Sequence, residues 1–127
     1  MSRLLLDTHI VLWWFADSPR LTDEMAHAIE DPANDAVVSA VSAFEVATKR
    51  ALGKLAAPND LAEQLDAAGF GSLPVTLAHG FAAGELPLHH RDPFDRLLVA
   101  QAKVDGYTLV TADRRLSAYD VPLLPAG

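Results

Sequence analysis

The sequence predicts an α/β sandwich, a central parallel sheet flanked by helices. Short apolar runs bounded by polar residues, such as Leu4 to Leu6 in "LLLDTH", read as buried strands. They alternate with longer stretches whose apolar residues recur at helical spacing, and strands separated by helices pair in parallel through crossovers. The size agrees: 127 residues, half of them apolar, suffice for one core, and no repeat, low-complexity segment or linker interrupts them. One domain spanning residues 1–127 is expected.

The elements follow in order. Arg3 to Leu6 reads as a strand and Thr8 to Phe15 as a helix, with a second helix from Asp23 to Glu30 capped by Thr22. Ala36 to Ser39 is the next strand, followed by an amphipathic stretch from about Val41 to Leu55. Asn59 and Asp60 are N-cap candidates for a helix over Leu61 to Ala68, with Gly69 and Gly71 as stops. A short strand near Leu73 to Val75 leads through the cap candidate Thr76 into a helix around Leu77 to Ala83. In "DPFDRLLVAQAKVDG", Asp92 is the N-cap, Pro93 suits the first helical position and Gly106 is the stop. "YTLVT" is a strand, "ADRRLSAY" a turn or short helix, and Val121 to Leu124 a last strand.

Composition bounds the function. The absence of cysteine excludes disulfides and thiolate metal sites and suits a reducing, cytoplasmic setting. The longest apolar run, Ile10 to Ala16, is far too short to span a membrane, and no signal-peptide pattern is read at the N-terminus. Ten basic against seventeen acidic residues give a formal charge of −7, which argues against a broad non-specific nucleic-acid surface. Carboxylates that bind cations also count as negative in such a tally, so a phosphate substrate stays open.

Ligands of open α/β sheets collect outside the carboxyl ends of the strands. Four acids have a route there: Asp7 after the first strand, Glu45 near the start of the helix after the second, Asp95 in the first turn of the "DPFD" helix, and Asp113 after "TLVT". Each has a simpler role. Asp7 suits a helix cap, Ser42 and Glu45 form the S-x-x-E of a capping box, Asp95 suits a helix dipole, and Asp113 suits a turn. Jointly they point elsewhere. Asp7, Asp95 and Asp113 edge strongly apolar segments, where mutual repulsion calls for a cation, either Lys or Arg or a hard Mg²⁺ or Mn²⁺ that selects oxygen ligands. Metal-dependent phosphoryl chemistry is the corresponding reaction.

"LLLDTHIVLWW", "SAVSAFEVATKRALGKL", "HHRDPFDRLLVAQA" and "LVTADRRL" together resemble the PIN domain, specifically the VapC-type ribonuclease toxins of toxin–antitoxin pairs. The resemblance runs essentially end to end. It implies a PIN-like three-layer sandwich, dependence on Mg²⁺ or Mn²⁺, and endonucleolytic cleavage of RNA, with transfer RNA as the expected substrate class. It places Asp7, Glu45 and Asp95 on the family's three most characteristic acids and Asp113 on the fourth, more variable one. Asp7, Asp95 and Asp113 would hold the cation while Glu45 orients or deprotonates the attacking water, leaving a 5′-phosphate and a 3′-hydroxyl. Asp92 belongs to the "DPFD" form of one branch and is read as a cap that supports the site, while Thr8 and Thr111 are placed to hydrogen-bond the acids or a phosphate. The resemblance further implies a homodimer and a small cognate antitoxin that blocks the acidic cleft.

Other side chains near the acids carry weaker signals. Arg91, Arg96, Arg114 and Arg115 flank two of the acids and are candidates for RNA phosphate contacts, with solvated helix-face charge or pairing to the carboxylates as the rival roles. No pairing is readable for His9, His89 or His90, which read as surface or loop histidines. In "IVLWWF", Trp13, Trp14 and Phe15 cover more than one helix face, so either an interface or neighbouring helices must meet them. The resemblance favours the interface.

Two rival functions fit the sequence less well. A receiver-type phosphoacceptor domain would need adjacent acids after the first strand, where Asp7 is followed by Thr8, and a catalytically inactive binding module would not need the acid set.

Overall fold

The computed structural model describes residues 1–125. Its elements are β1 (Arg3–Leu6), α1 (Thr8–Ala16), α2 (Asp23–Glu30), β2 (Asp35–Ser39), α3 (Ala40–Ala51), α4 (Leu61–Ala67), β3 (Gly71–Leu73), α5 (Leu77–Glu85), α6 (Pro93–Asp105), β4 (Thr108–Val110), a short 3₁₀ helix (Arg114–Ala118) and β5 (Leu123–Leu124). All strands pair in parallel in the order β3-β2-β1-β4-β5. Among the described residues no helix is long and apolar enough to cross a membrane.

The period-2 alternation of a strand explains the leucine run. Leu4 and Leu6 join Val38 and Val110 in a core closed by Ile10, Val11, Met25, Ile29, Val46 and Leu61 from α1 to α4. Leu5 points the other way and joins Val37 and Leu109 in a second core with Ala83, Leu98, Val99 and Ala102 from α5 and α6. A strand buried on both faces must be apolar at every position, so "LLL" is the signature of the central strand of a three-layer sandwich.

Several boundaries differ from the sequence expectation, for local reasons. The helix expected to run to Leu55 stops at Ala51, where Gly53 adopts a left-handed φ of +71° and Lys54 N–H bonds back to Lys49 O. Gly69, at φ +83°, ends the fourth helix as expected, but Gly71 begins β3. Gly71 lies opposite Val37 in the sheet, and a Cβ there would stand 2.9 Å from Val37 Cγ1, so the strand starts two residues earlier than its apolar residues suggest. The last strand shrinks to Leu123–Leu124, and α5 extends to Glu85. At α6 the expected signals operate: Asp92 Oδ1 accepts from Phe94 N–H at 2.8 Å, Pro93 opens the helix, and Gly106 closes it at φ +77°.

The path of the chain locates the site. From β1 the chain steps outward to β2 and β3, then returns to β4 on the opposite side of β1. The topological switch therefore lies between β1 and β4, the crevice where open α/β sheets bind ligands. In register, Leu6 pairs with both Val38 and Val110, so Asp7, Ser39 and Thr111 leave their strands at one level. Buried ties across the layers fix that level: Ser39 Oγ donates to Gln101 Oε1 on α6 at 2.6 Å, and His79 on α5 meets Asp105 of α6 at 2.8 Å.

Leu5 is fully buried in β1 whereas Leu77 is 82% exposed. Leu5→Ala should lower unfolding stability by about 3 kcal/mol and Leu77→Ala by less than about 0.5 kcal/mol, as read from urea titrations.

Candidate active site

Asp7 is only 5% exposed. It occupies the N-cap position of α1, yet its side chain makes no capping bond. Its Oδ2 instead accepts from Thr111 Oγ1 across the β1–β4 crevice at 2.7 Å, and its backbone N–H bonds Val110 O. Thr111 Oγ1 also accepts the N–H of Asp113 at 3.1 Å, so one hydroxyl joins two of the acids. Burial raises the Asp7 pKa above the usual carboxylate value, because one neutral hydroxyl does not replace the lost water.

Glu45 is 4% exposed and lies in the second turn of α3. The predicted Ser42/Glu45 capping box is not formed, because the helix starts earlier: Ser39 is the N-cap and takes Val41 N–H at 2.9 Å. Ser42 and Glu45 turn toward α1, where Thr8 Oγ1 lies 2.8 Å from Ser42 Oγ and 2.6 Å from Glu45 Oε1. With a single proton, the Thr8 hydroxyl donates to the carboxylate and accepts from Ser42. Lys49, one turn later, pairs with Glu45 Oε2, and this contact holds the lysine pKa above its ordinary value. The Glu45–Lys49 spacing of four is legible in the sequence as a helical ion pair, although it was not read as part of the site.

Asp95 stands in the first turn of α6 behind its cap Asp92. The helix dipole favours an anion there, typically by less than about 1 kcal/mol. Stronger effects oppose it. Burial first, and then the charges of Asp7, Asp92, Glu45 and Asp113, push the Asp95 pKa up to about 7. Asp95 thus lies within electrostatic reach of Asp7, Asp92, Glu45 and Asp113. Asp113 differs: it caps the 3₁₀ helix, and a two-pronged pair with Arg115 (3.0 and 2.9 Å) holds its pKa low.

His90, expected to be an ordinary loop histidine, is a member of this cluster. Its Nε2 lies 3.0 Å from Asp95 Oδ2 and 3.5 Å from Asp113 Oδ2. His90, Asp95 and Asp113 each offer a metal-ligating atom within 4.8 Å of the others, with Asp7 and Glu45 adjoining that trio. The only sequence signal was the placement of His90 two residues before the Asp92 cap.

Arg96 requires a correction. It is 9% exposed and makes no surface for RNA, because its guanidinium is consumed inside the protein. Nη2 donates to Ala83 O (2.7 Å) and Leu86 O (3.0 Å), and Nη1 to Pro87 O (3.0 Å), His90 O (3.2 Å) and Tyr119 Oη (3.4 Å). A buried guanidinium with this many acceptors fastens the loop between α5 and α6 to α6. Arg91, Arg114 and Arg115 are exposed, and Arg115 is committed to Asp113. Trp13, Trp14 and Phe15 are half-buried; Phe70, after α4, meets Trp14 and Phe15 edge-on at 6.0 and 6.1 Å. Neighbouring structure thus covers part of that apolar face and leaves part open.

The donor set fits a hard divalent cation. It is dominated by carboxylate oxygens, which Mg²⁺ and Mn²⁺ favour, and the raised pKa of Asp95 marks negative charge that Lys49, His90 and Arg115 do not balance. A carboxyl whose folded pKa exceeds its unfolded value of about 4 destabilises the fold progressively as pH rises through that interval. Asp7 and Asp95 both act in this sense, whereas the lowered pKa of Asp113 acts only at acidic pH. Without divalent ions, the melting temperature should therefore fall by about 5 °C or more between pH 5 and pH 8, and Asp95→Asn should flatten that slope in calorimetric scans.

With this geometry in hand, comparisons place the chain among known proteins. The PIN domain family model matches residues 4–122. Ribonuclease VapC22 from Mycobacterium tuberculosis is 36% identical over 130 residues, covering 96% of this chain and 95% of that protein. Among solved structures, the fold is similar to VapBC2 from Rickettsia felis bound to a promoter DNA fragment (TM-score 0.71, 18% identity, 95% of this chain and 96% of that one). It is also similar to DNA-bound VapBC from Salmonella typhimurium (TM-score 0.68, 14% identity, 97% of each chain) and to FitAcB from Neisseria gonorrhoeae (TM-score 0.65, 19% identity, 94% and 95%). A carboxylate cluster at the β1–β4 switch of a parallel sheet, a family match over nearly the whole chain and this relative lead to one conclusion: the chain belongs to the PIN domain family.

Proposed function

We propose that this protein is a divalent-metal-dependent endoribonuclease toxin held inactive by a cognate antitoxin. The observation that carries the reading is the convergence of Asp7, Glu45, Asp92, Asp95 and Asp113 on one crevice, where Asp95 is pushed up to about 7 chiefly by burial and by its neighbours' charge. The similarity to Ribonuclease VapC22 supports RNA as the substrate.

Asp7, Asp95 and Asp113 are the residues that would hold Mg²⁺ or Mn²⁺. The bound ion supplies Lewis acidity toward the scissile phosphate. Glu45, held at Oε1 by Thr8 and at Oε2 by Lys49, orients water for in-line attack and accepts its proton. Attack at phosphorus breaks the bond to the 3′ oxygen and leaves a 5′-phosphate and a 3′-hydroxyl. Thr111 fixes the Asp7 carboxylate, and Asp92 fixes the helix end that carries Asp95. Exposed Arg91 and Arg114 contact RNA phosphates at the rim, which suits an otherwise acidic protein that binds RNA locally.

The antitoxin reading rests on the VapBC complexes among the structural neighbours and on an apolar cleft of 180 Å³ between α1, α3 and α4. Val11, Val46, Leu61 and Leu65 line that cleft, and Thr8 and Ser42 connect it to the acids, so an apolar segment seated there lies beside the catalytic groups. The open part of the Trp13, Trp14 and Phe15 face is the apolar surface for an interface with a second copy or the antitoxin.

Purified wild-type protein should cleave total cellular RNA in Mn²⁺ and leave 5′-phosphate ends. Asp7→Asn and Asp95→Ala should each lower the rate about 100-fold or more, the scale of losing a group that acts at the reacting phosphate. Mn²⁺ should raise the melting temperature of the wild type and leave that of Asp7→Asn unchanged. Wild-type protein that leaves RNA intact would contradict the nuclease reading, and an equal Mn²⁺ response in wild type and Asp7→Asn would contradict the metal assignment.

A further inference from the structure

Among the described residues, His90 Nε2 is the one buried side-chain nitrogen or oxygen without a hydrogen-bond partner, although its side chain is only 9% exposed. It lies within ion-pair distance of Asp95 and Asp113, at 3.0 and 3.5 Å, but neither contact has hydrogen-bond geometry. Buried donors are rarely left unpaired, because they lose their bonds to water without replacement. An unpaired one beside two carboxylates of an acidic cluster calls for a ligand.

The other ring nitrogen decides what kind of ligand. His90 Nδ1 accepts the N–H of Asp92 at 3.3 Å, so its lone pair is in use and the neutral ring carries its proton on Nε2. An Nε2 that bears a proton has no lone pair for a cation. Ligation through Nε2 would require the opposite tautomer, with a proton on Nδ1 facing the Asp92 N–H. His90 is therefore a donor, and its partner is an acceptor.

The surroundings hold this donor in place. His90 N–H donates to Tyr119 Oη at 2.9 Å, and Arg96 binds the carbonyls of Ala83, Leu86, Pro87 and His90. These bonds use the backbone of His90; its side chain adds only the 3.3 Å acceptor for Asp92 N–H, so changing it leaves the Tyr119 and Arg96 ties in place.

We propose that His90 Nε2–H donates a hydrogen bond to a non-bridging oxygen of the scissile phosphodiester, making His90 a catalytic residue that contacts substrate and does not ligate the cation; Arg96 is the positioning residue behind it. The proposal rests on the nuclease reading above, and its test is separable from the test of that reading. Cleavage of total cellular RNA by wild type in Mn²⁺, abolished in Asp95→Ala, decides the nuclease reading by itself. His90→Ala should then cleave about 30-fold or more slowly, while its Mn²⁺ dissociation constant stays within about 2-fold of wild type. His90→Gln, whose amide N–H reaches the position of Nε2, should recover cleavage to within about 5-fold of wild type, and circular dichroism should show both variants folded. A His90→Ala variant that cleaves at the wild-type rate overturns the proposal. So does a loss of Mn²⁺ affinity of about 10-fold or more in both variants, which would make His90 a ligand.

Discussion

The carboxylate of Asp7 stands at the end of a strand sealed on both faces, and the rest of the site is arranged around the cost of burying that charge. Removing an ion from water costs several kcal/mol unless a partner compensates it. Thr111 provides one hydrogen bond and no charge. Lys49 is committed to Glu45 and Arg115 to Asp113, and the raised pKa values of Asp7 and Asp95 register first their burial and then the charge of neighbouring acids. In the proposed reading, a cation balances this charge and a phosphate follows the cation.

The topology makes the convergence possible. Because β1 lies between β2 and β4, its carboxyl end faces the N-terminal turns of α3 and α6 and the residues that follow β4. Asp7, Glu45, Asp95 and Asp113 are far apart in sequence, yet each is placed by an element anchored in one of the two apolar cores. Packing sets the backbone, and the backbone sets the charges. The hydroxyls of Thr8 and Thr111 then fix the orientations of Glu45 and Asp7.

Much of this was legible in the sequence, and the failures have physical causes. The run "LLL" marked a doubly covered central strand, and Asp92, Pro93 and Gly106 marked both ends of α6 because caps act locally. The S-x-x-E spacing of Ser42 and Glu45 suggests a capping box that does not form, because Ser39 caps α3 and is held there by its long-range bond to Gln101. Arg96 read as surface charge because a cation in the first turn of an amphipathic helix looks solvated; its acceptors come from a loop that no local pattern brings near. His90 was passed over for the same reason, since its position depends on Arg96 and Tyr119. Gly71 reads as a stop because glycine favours turns, whereas its close approach to Val37 requires it inside the sheet.

The most direct test is anomalous diffraction from crystals grown with Mn²⁺. A manganese peak within coordination distance of the Asp7 and Asp95 carboxylates, at the carboxyl ends of β1 and β4, is the predicted result. A peak confined to surface acids away from this crevice, or no peak at saturating Mn²⁺, would contradict it.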